Sequence, residues 1–435
     1  MSTIRMFRLA ALAISLIFNA AIAQQIATTS PEQAGFSSER LAKITQVFKQ
    51  EVEQGKLPGA VLMIARKNRL IYSEAIGFQN KETATAMSKD AIFRIYSMTK
   101  PMVSVAAMLL VEDGKLQLND PVSKHLPALK NMQVSVAKAD AEFARITYST
   151  VSADREITVY DLLRHTAGLA YGELTNNAPV KDAHVKAGLY QANVRDFDSR
   201  DMTPAEQVER LAKIPLIHQP GTIWDYSLAS DLLGRVVEVV SGKRLGEFLQ
   251  ERLFAPLKMP DSSFWLAPEK LPRLAQPLSI DPASGAPNKM IDVAIQPKND
   301  SGGAGAVASA NDYLRFALML ANGGQLDGTR IMSRTTVALM TSDHLGTRIA
   351  APTTPGELLF SSPGYTFGLG LAVRTGAATL PGSAGEFTWG GYGGTFFWVD
   401  PKEEIVAVYM SQAPGPSRQY YRRLFKQLVY QAVVD

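Results

Sequence analysis

The sequence predicts an α/β fold in which one antiparallel sheet is formed from both ends of the chain and flanked by helices, with a mainly helical domain inserted. Strand-like runs lie near both termini, and segments with the three- and four-residue spacing of amphipathic helices fill the centre. This order is typical of a sheet that the C-terminal segment completes. We therefore expect residues 24–95 and 300–435 to form a discontinuous sheet domain, and residues 96–299 a mainly helical domain.

The first elements follow from hydrophobic periodicity. Apolar residues recur at helical spacing between Ser37 and Glu53, which predicts an amphipathic helix that begins near Ser37. Two apolar runs follow at residues 61–65 and 70–75, and four polar residues separate them. This pattern predicts a β-hairpin.

The centre and the C-terminal part differ in period. Helical spacing is found at residues 204–213, 227–240 and 245–253. Strands are predicted at residues 365–373, 394–399 and 405–410, followed by a closing helix at 420–433. The Pro-, Gly-, Ser- and Ala-rich residues 281–305 predict a long loop or the link that returns the chain to the sheet.

Composition restricts the class of protein. The chain has 435 residues, 46% of them hydrophobic, and no cysteine. The missing cysteines exclude disulfides, a thiol nucleophile and cysteine-ligated metals. The formal charge of +4 has no basic cluster behind it, so no nucleic-acid partner is expected.

The N-terminus has the pattern of a signal peptide. Arg5 and Arg8 precede an apolar run from Leu9 to about Ala20, and a small-x-small pattern ends at Ala23. The run is too short to span a bilayer of about 30 Å. We expect cleavage after Ala23, a periplasmic or secreted protein and no membrane anchor.

One segment carries nucleophilic chemistry. Ser97 and Lys100 precede Pro101 and a long apolar stretch, and proline is tolerated only in the first turn of a helix. Ser97 and Lys100 should then share one face of that turn, where the amine can reach the hydroxyl. A lysine can activate serine when its pKa is lowered, and the positive end of the helix dipole favours an oxyanion.

The Ser-x-x-Lys pattern alone is a weak signal. Ser135 and Lys138 form a second match, but no apolar helix follows them, and we interpret this match as accidental. Gly303 begins a glycine-rich run that imitates a dinucleotide fingerprint, yet no strand leads into it. The five histidines lack zinc-like spacing, so neither a metal nor a cofactor is expected.

Three ordered motifs resemble the serine β-lactamase and penicillin-binding-protein superfamily, and most of all its family VIII carboxylesterases. The first is Ser97 to Lys100 at a helix start, and the second is the stretch 219–228 around Tyr226, which is similar to the Tyr-x-Asn box. The third is Trp389, Gly390 and Gly391, the esterase form of the Lys-Thr-Gly box. The segment His165 to Leu169 also matches, and we interpret His165 as structural. The resemblance implies a β-lactamase-like fold.

The resemblance also implies a mechanism. Ser97 would be the nucleophile, with its proton passing to Lys100, to Tyr226 or to both acting as a unit. The backbone N–H groups of Ser97 and Tyr392 would bind the oxyanion.

The departures from the lactamase pattern predict the substrate. Trp389 stands where a lactamase has a lysine for the substrate carboxylate, and Leu228 replaces an asparagine that binds a substrate amide. With Gly390 and Gly391, these residues predict a site for a small uncharged ester. A weak β-lactamase or a D-aminopeptidase-like amidase or acyltransferase is the alternative, and a catalytically inert binding protein is the alternative of another class. The oligomeric state is left open.

Overall fold

The computed structural model describes residues 26–140, 145–191 and 199–435. The predicted signal peptide, residues 1–23, lies outside these ranges. Within them, every helix is too short or too polar to cross a bilayer.

The described residues contain fourteen strands and eleven α-helices. The strands are β1 Gly59–Arg66, β2 Arg69–Asn80, β3 Thr85–Ala86, β4 Ile92–Arg94, β5 Gln133–Asp140, β6 Arg145–Ser152, β7 Val307–Ser309, β8 Gln325–Leu326, β9 Thr329–Arg330, β10 Tyr365–Phe367, β11 Ala372–Arg374, β12 Phe387–Gly390, β13 Phe396–Asp400 and β14 Ile405–Ser411. The helices are α1 Ser38–Glu53, α2 Thr99–Glu112, α3 Val159–Leu163, α4 Ala178–Lys186, α5 Pro204–Leu211, α6 Ala229–Ser241, α7 Leu245–Leu249, α8 Ala310–Ala321, α9 Arg334–Met340, α10 Pro355–Phe360 and α11 Ser417–Tyr430.

Both ends of the chain build the main sheet, as the sequence predicts. Its eight strands run in the order β10-β11-β12-β13-β14-β1-β2-β3, and every neighbouring pair is antiparallel. The C-terminal strand β14 pairs with β1 over seven residues, from Ala60 opposite Ser411 to Arg66 opposite Ile405. The predicted antiparallel sheet, formed from both ends of the chain, is confirmed.

Local sequence explains the first elements. The Ser37 side chain accepts a hydrogen bond from the Arg40 N–H and so caps α1. The β1–β2 hairpin turns at Lys67 and Asn68, which both have positive φ, 51° and 63°. Two successive left-handed residues give the turn the twist of the flanking strands.

Helices cover both faces of the sheet. Adjacent residues of β13 point to opposite faces. The Phe397 ring packs 5.0 Å from Tyr313 of α8, whereas Trp398 packs 5.4 Å from Phe425 of α11. Helix α11 therefore lies on one face and α8 on the other.

Helix α2 leads from the sheet into the helical part. Every residue from Thr99 to Leu110 is buried, and the helix packs against α6 and α7. A helix that is apolar on all sides can only lie inside a large core. The start of α2 is therefore fixed by packing on every side.

The structure differs from the sequence predictions in two elements. The strand predicted at residues 365–373 is two strands, because Gly370 has φ of 86° and donates its N–H to the Leu163 carbonyl at 2.9 Å. The central part also contains the β5–β6 hairpin, which the sequence analysis missed. Ser135 and Lys138 lie on β5, where residues three apart point to opposite faces, so this Ser-x-x-Lys match forms no site.

Candidate active site

Ser97 lies where the sheet gives way to α2. It is the middle residue of a 3₁₀ turn, Tyr96–Met98, that follows β4 and runs directly into α2 at Thr99. Tyr96 has φ of 46°, a left-handed conformation that a tyrosine rarely adopts. Its hydroxyl accepts the Ile291 N–H at 3.1 Å, which helps to hold this turn. The strained residue before Ser97 marks a candidate functional site.

Lys100 is buried beneath Ser97. Its Nζ lies 3.4 Å from Ser97 Oγ, 3.0 Å from the Tyr171 hydroxyl and 2.7 Å from the Gly303 carbonyl oxygen. These three acceptors match the three N–H donors of an ammonium group. The exposed fraction of the lysine is 1%, so its amine faces protein groups and not bulk solvent.

Tyr226 approaches Ser97 from the helical part of the chain. Its hydroxyl lies 2.7 Å from Ser97 Oγ, and the Lys100 amine sits over its ring, 4.7 Å from the centroid. A chain of close contacts therefore joins the lysine, the serine and the tyrosine. Each of the two groups that could accept the serine proton is within reach of the hydroxyl.

His165 holds the segment that carries Tyr226. Its carbonyl oxygen accepts the Asp225 N–H at 2.9 Å, and its Nδ1 accepts the Ser227 N–H at 3.3 Å. Its ring packs 5.0 Å from the Tyr226 ring. Burial, and then the charge of Lys100, lower the pKa of His165 well below its ordinary value, so the imidazole is neutral at neutral pH. This geometry supports a structural role.

Tyr171 and Asp231 are buried titratable groups close to Lys100. Burial, followed by the proximity of Tyr226, raises the pKa of Tyr171 well above its ordinary value, so this phenol keeps its proton. Asp231 accepts hydrogen bonds from Ser301 Oγ at 2.7 Å and from the Gly303 N–H at 3.2 Å. Burial raises the pKa of Asp231, and the charge of Lys100 opposes that effect. Gly303 thus links the aspartate to the lysine.

A cavity of about 240 Å³ opens above Ser97. The Trp389 ring lies 5.3 Å from the Tyr226 ring, and its buried N–H has no hydrogen-bond partner among the described residues. Tyr392 packs edge-on against Tyr96, with ring centroids 5.6 Å apart. The residues lining the cavity are Tyr96, Ser97, Tyr171, Glu173, Leu174, Tyr226, Ala304, Leu358, Leu359, Trp389, Gly390, Tyr392, Arg418 and Arg422.

The C-terminal helix α11 brings two guanidinium groups to this cavity. Arg422 is 3% exposed and donates to the Gly391 carbonyl at 2.8 Å, while its Nε is buried and has no hydrogen-bond partner among the residues that the structure describes. Arg418 lies over the Tyr392 ring at 5.1 Å. Burial lowers the pKa of both, yet guanidinium begins from a pKa above about 12 and stays charged at neutral pH. Within the described chain, no carboxylate forms an ion pair with either group.

The position of Arg422 explains why the third motif has a glycine at Gly390. A Cβ atom on Gly390 would lie 2.6 Å from the Arg422 guanidinium carbon. Any larger residue would displace that side chain. Gly390 therefore allows the guanidinium to lie against β12.

Comparison with known proteins identifies the family. The family model described as Beta-lactamase matches residues 44–431. The chain belongs to the Beta-lactamase family. Within it, the chain is close to esterases of the serine β-lactamase and penicillin-binding-protein superfamily. Esterase EstB of Burkholderia gladioli is 31% identical over 381 residues, covering 82% of this chain and 87% of the relative.

Two more Beta-lactamase family relatives are similar over most of their length. The lovastatin esterase of Penicillium rubens is 29% identical over 390 residues, covering 85% of this chain and 92% of the relative. The solved structure of EstCE1, described as a hydrolase with promiscuous acyltransferase activity, has a TM-score of 0.72 and 28% identity. The match covers 90% of this chain and 99% of the EstCE1 chain. The family and these relatives indicate that the protein is a serine hydrolase.

The structure brings most of the predicted site residues of this Beta-lactamase family member together. Ser97, Lys100 and Tyr226 are in contact, and Trp389, Gly390 and Tyr392 line the same cavity. Two predicted substrate-binding residues are absent from the lining, Gly391 and Leu228. Gly391 instead accepts from Arg422, and Leu228 packs against the core at the start of α6.

Sequence reasoning missed four polar residues of the site. They are Tyr171, Asp231, Arg418 and Arg422. Tyr171 lies two residues after the end of the matched segment, His165 to Leu169, which could have singled it out. The arginines had no local signal, because only the packing of α11 on β12 brings them to Ser97. Trp389 supplies no cation for a substrate carboxylate, but Arg418 and Arg422 bring two cations to the same cavity.

Proposed function

We propose that the protein hydrolyses short-chain carboxylic esters through an acyl-enzyme on Ser97. The observation that carries this proposal is the contact of Ser97 Oγ with both Tyr226 and Lys100 at the base of an open cavity. A serine hydroxyl becomes an effective nucleophile when an adjacent group removes its proton. Here two candidate groups lie in reach.

In the first step, Ser97 Oγ bonds to the ester carbonyl carbon while its proton passes to a Tyr226 phenolate, to a neutral Lys100 amine or to the two acting as a unit. The tetrahedral oxyanion then collapses, the bond to the alcohol oxygen breaks, and the proton moves to that oxygen. The backbone N–H groups of Ser97 and Tyr392 would stabilise the oxyanion. In the second step, water attacks the acyl carbon and gives its proton to the same groups; the bond from that carbon to Ser97 Oγ then breaks, and the proton returns to Oγ.

Similarity supports ester chemistry over amide chemistry. Esterase EstB and the lovastatin esterase are both named for ester hydrolysis. Much of the cavity wall is apolar, with Leu358, Leu359 and Trp389 among its residues. An uncharged acyl group can bury its surface there without losing hydrogen bonds to water.

Labelling with a fluorophosphonate tests the nucleophile. We expect a single adduct on Ser97, complete loss of labelling in Ser97→Ala, and unchanged labelling in the matched control Ser135→Ala. Turnover of a panel of acetyl, butyryl and hexanoyl esters should follow the labelling. An adduct on another residue would contradict the proposal, and an unlabelled, inactive wild type would favour the inert binding protein.

A second candidate function is amide hydrolysis of substrates that carry a carboxylate, such as β-lactams or D-alanyl peptides. Arg418 and Arg422 favour it, because a substrate carboxylate would find two cations in the cavity. Comparing kcat/KM for butyryl esters and penicillins at one pH separates the two. An ester preference of at least about a hundredfold, a gap of roughly 2.7 kcal/mol, supports the first candidate. Comparable values support the second.

A further inference from the structure

A second, larger cavity adjoins the one above Ser97. Its volume is about 850 Å³, and it shares Leu174, Tyr226 and Leu358 with the smaller cavity. The β5–β6 hairpin forms one wall, residues 174–177 form another, and residues 217–226 form a third. The two cavities are therefore neighbours that meet at Tyr226, and we call the larger one the groove.

The walls of this groove suit an uncharged, largely apolar occupant. Ile146 and Leu174 line it while their side chains are 62% and 54% exposed. Among the described lining residues, the charged side chain is Asp225, which lies 3.3 Å from His218 Nε2. Asn176, Asn177 and Gln219 add amide groups that can hydrogen-bond to hydroxyl or carbonyl oxygens.

The volumes indicate what each cavity can hold. Pockets that enclose a molecule of drug size measure about 300 to 1,000 Å³. The cavity above Ser97, at about 240 Å³, is below this range and suits a short acyl group. The adjoining groove lies within the range.

We propose that the groove binds the alcohol part of a bulky ester, an uncharged multi-ring or branched alcohol with few polar groups. This inference rests on the proposed function. When the bond between the carbonyl carbon and the alcohol oxygen breaks, that oxygen must take up a proton from Tyr226 or Lys100. The alcohol therefore departs on the side of Tyr226, and the groove begins at that residue.

Two substitutions on one strand test the site. Ile146→Asp places a charge in the groove, and the matched control Val151→Asp changes an exposed valine of β6, 42% exposed, that does not line it. Three esters serve as probes: ethyl butyrate, the acetate of a tetracyclic alcohol, and the ethyl ester of a tetracyclic acid. Asn176→Trp, on a different wall, fills the same space and provides a second variant.

We expect Ile146→Asp and Asn176→Trp to raise KM for the tetracyclic acetate by about tenfold or more. Turnover of the other two esters by these variants should stay within about twofold of the wild-type value. Turnover of all three esters by Val151→Asp should also stay within about twofold of wild type. An unchanged KM for the tetracyclic acetate in both groove variants would overturn the proposal. A selective effect on the tetracyclic acid ester would assign the groove to the acyl part and overturn the alcohol assignment. Failure of the proposed function itself would differ, since wild type would then hydrolyse none of the three esters.

Discussion

At the scale of the residue, Lys100 shows how much one buried side chain depends on its neighbours. Its amine has acceptors on Ser97, on Tyr171 and on the backbone of Gly303, which come from three separate parts of the chain. A compact ammonium or amine satisfies this geometry, whereas a planar guanidinium fork does not. The site therefore requires lysine for its shape as well as for its proton chemistry.

The Lys100→Arg variant should lose most of its turnover of esters. Guanidinium has a pKa above about 12 and cannot accept the serine proton at neutral pH. We expect kcat for a butyryl ester to fall by about 10²- to 10⁴-fold, the usual contribution of a general base. Lys138→Arg, in the accidental Ser-x-x-Lys match, is the control and should keep wild-type kcat. Substantial activity in Lys100→Arg would exclude the lysine as a base.

Arg418→Ala should change selectivity between anionic and neutral substrates. Arg418 has no carboxylate partner in the described chain, so its removal leaves no buried carboxylate without a cation. We expect kcat/KM for an ester with a free carboxylate to fall by about tenfold, the value of one charge-assisted hydrogen bond. The value for the matched neutral ester should stay within about twofold. Equal losses for both esters would mean that Arg418 acts only through the packing of Tyr392.

At the scale of the element, the N-terminus of α8 contains a carboxyl group with an unusual environment. Asp312 lies in the first turn, and its Oδ2 accepts the Asp261 N–H at 2.7 Å and the Ser262 hydroxyl at 3.0 Å. Its Oδ1 is buried without a partner in the described chain. Burial, and then the charge of Asp261, raise the pKa of Asp312 to about 7. Arg273 and Lys270 pair with Asp261 beside it.

The raised pKa of Asp312 predicts a dependence of stability on pH. Between about pH 4 and pH 7 the folded state binds this proton while the unfolded state releases it, so the free energy of unfolding falls as pH rises. The group can account for a fall of at most about 4 kcal/mol. Urea unfolding of wild type and Asp312→Asn from pH 4 to pH 8 checks this. The difference between the two should change across that range, and a constant difference would contradict the prediction.

Helix α11 is attached to the sheet by a buried ion pair. Lys426 donates to Glu386, which lies just before β12, and both side chains are fully buried. Glu386 also accepts the Tyr365 hydroxyl at 2.9 Å. Because α11 carries Arg418 and Arg422, this pair also helps to place the two cations in the cavity.

Removing the cation of this pair should be costly. Lys426→Met removes the cation in contact with Glu386 and leaves this buried carboxylate with the longer ion pair to Arg374, at 4.0 Å. We expect the free energy of unfolding to fall by about 3 to 5 kcal/mol. The exposed control Lys402→Met should change it by less than about 0.5 kcal/mol. Chemical denaturation of the three proteins measures both values. A Lys426→Met protein as stable as wild type would show that the pair contributes no net stability.

At the scale of the whole molecule, the site lies where the sheet and the helical part meet. Ser97 follows a strand and begins the buried helix α2, Tyr226 precedes α6, and the arginines come from α11. Each of these side chains is held in place by a different part of the fold. Residues distant in the sequence are thus held at fixed distances around one hydroxyl.

Processing of the N-terminus is a prediction for the whole chain. We propose that export removes residues 1–23, so that the mature protein begins at Gln24, two residues before Ile26, where the described chain begins. Intact mass spectrometry of protein exported by a bacterial host should give the mass of residues 24–435. Ala21→Arg with Ala23→Arg, which destroys the small-x-small pattern, should block cleavage. Exported protein that retains the segment would contradict the proposal.

The sequence by itself determined the local features. Ser97 and Lys100 are three residues apart at a helix start, so helix geometry alone places them together. Periodicity likewise predicted α1, the β1–β2 hairpin and β14, because side-chain direction within an element repeats over two to four residues. Motif resemblance added Tyr226, which is 129 residues from Ser97 in the sequence.

Tertiary structure alone decided the charge and the extent of the site. No local pattern marks Asp231, Arg418 or Arg422, and the hairpin that walls the larger groove lies in a stretch without a strong period. Their positions result from the packing of α6, α11 and β5–β6 against elements far away in the sequence. Such contacts depend on the shape of the whole core, which no short window of residues encodes.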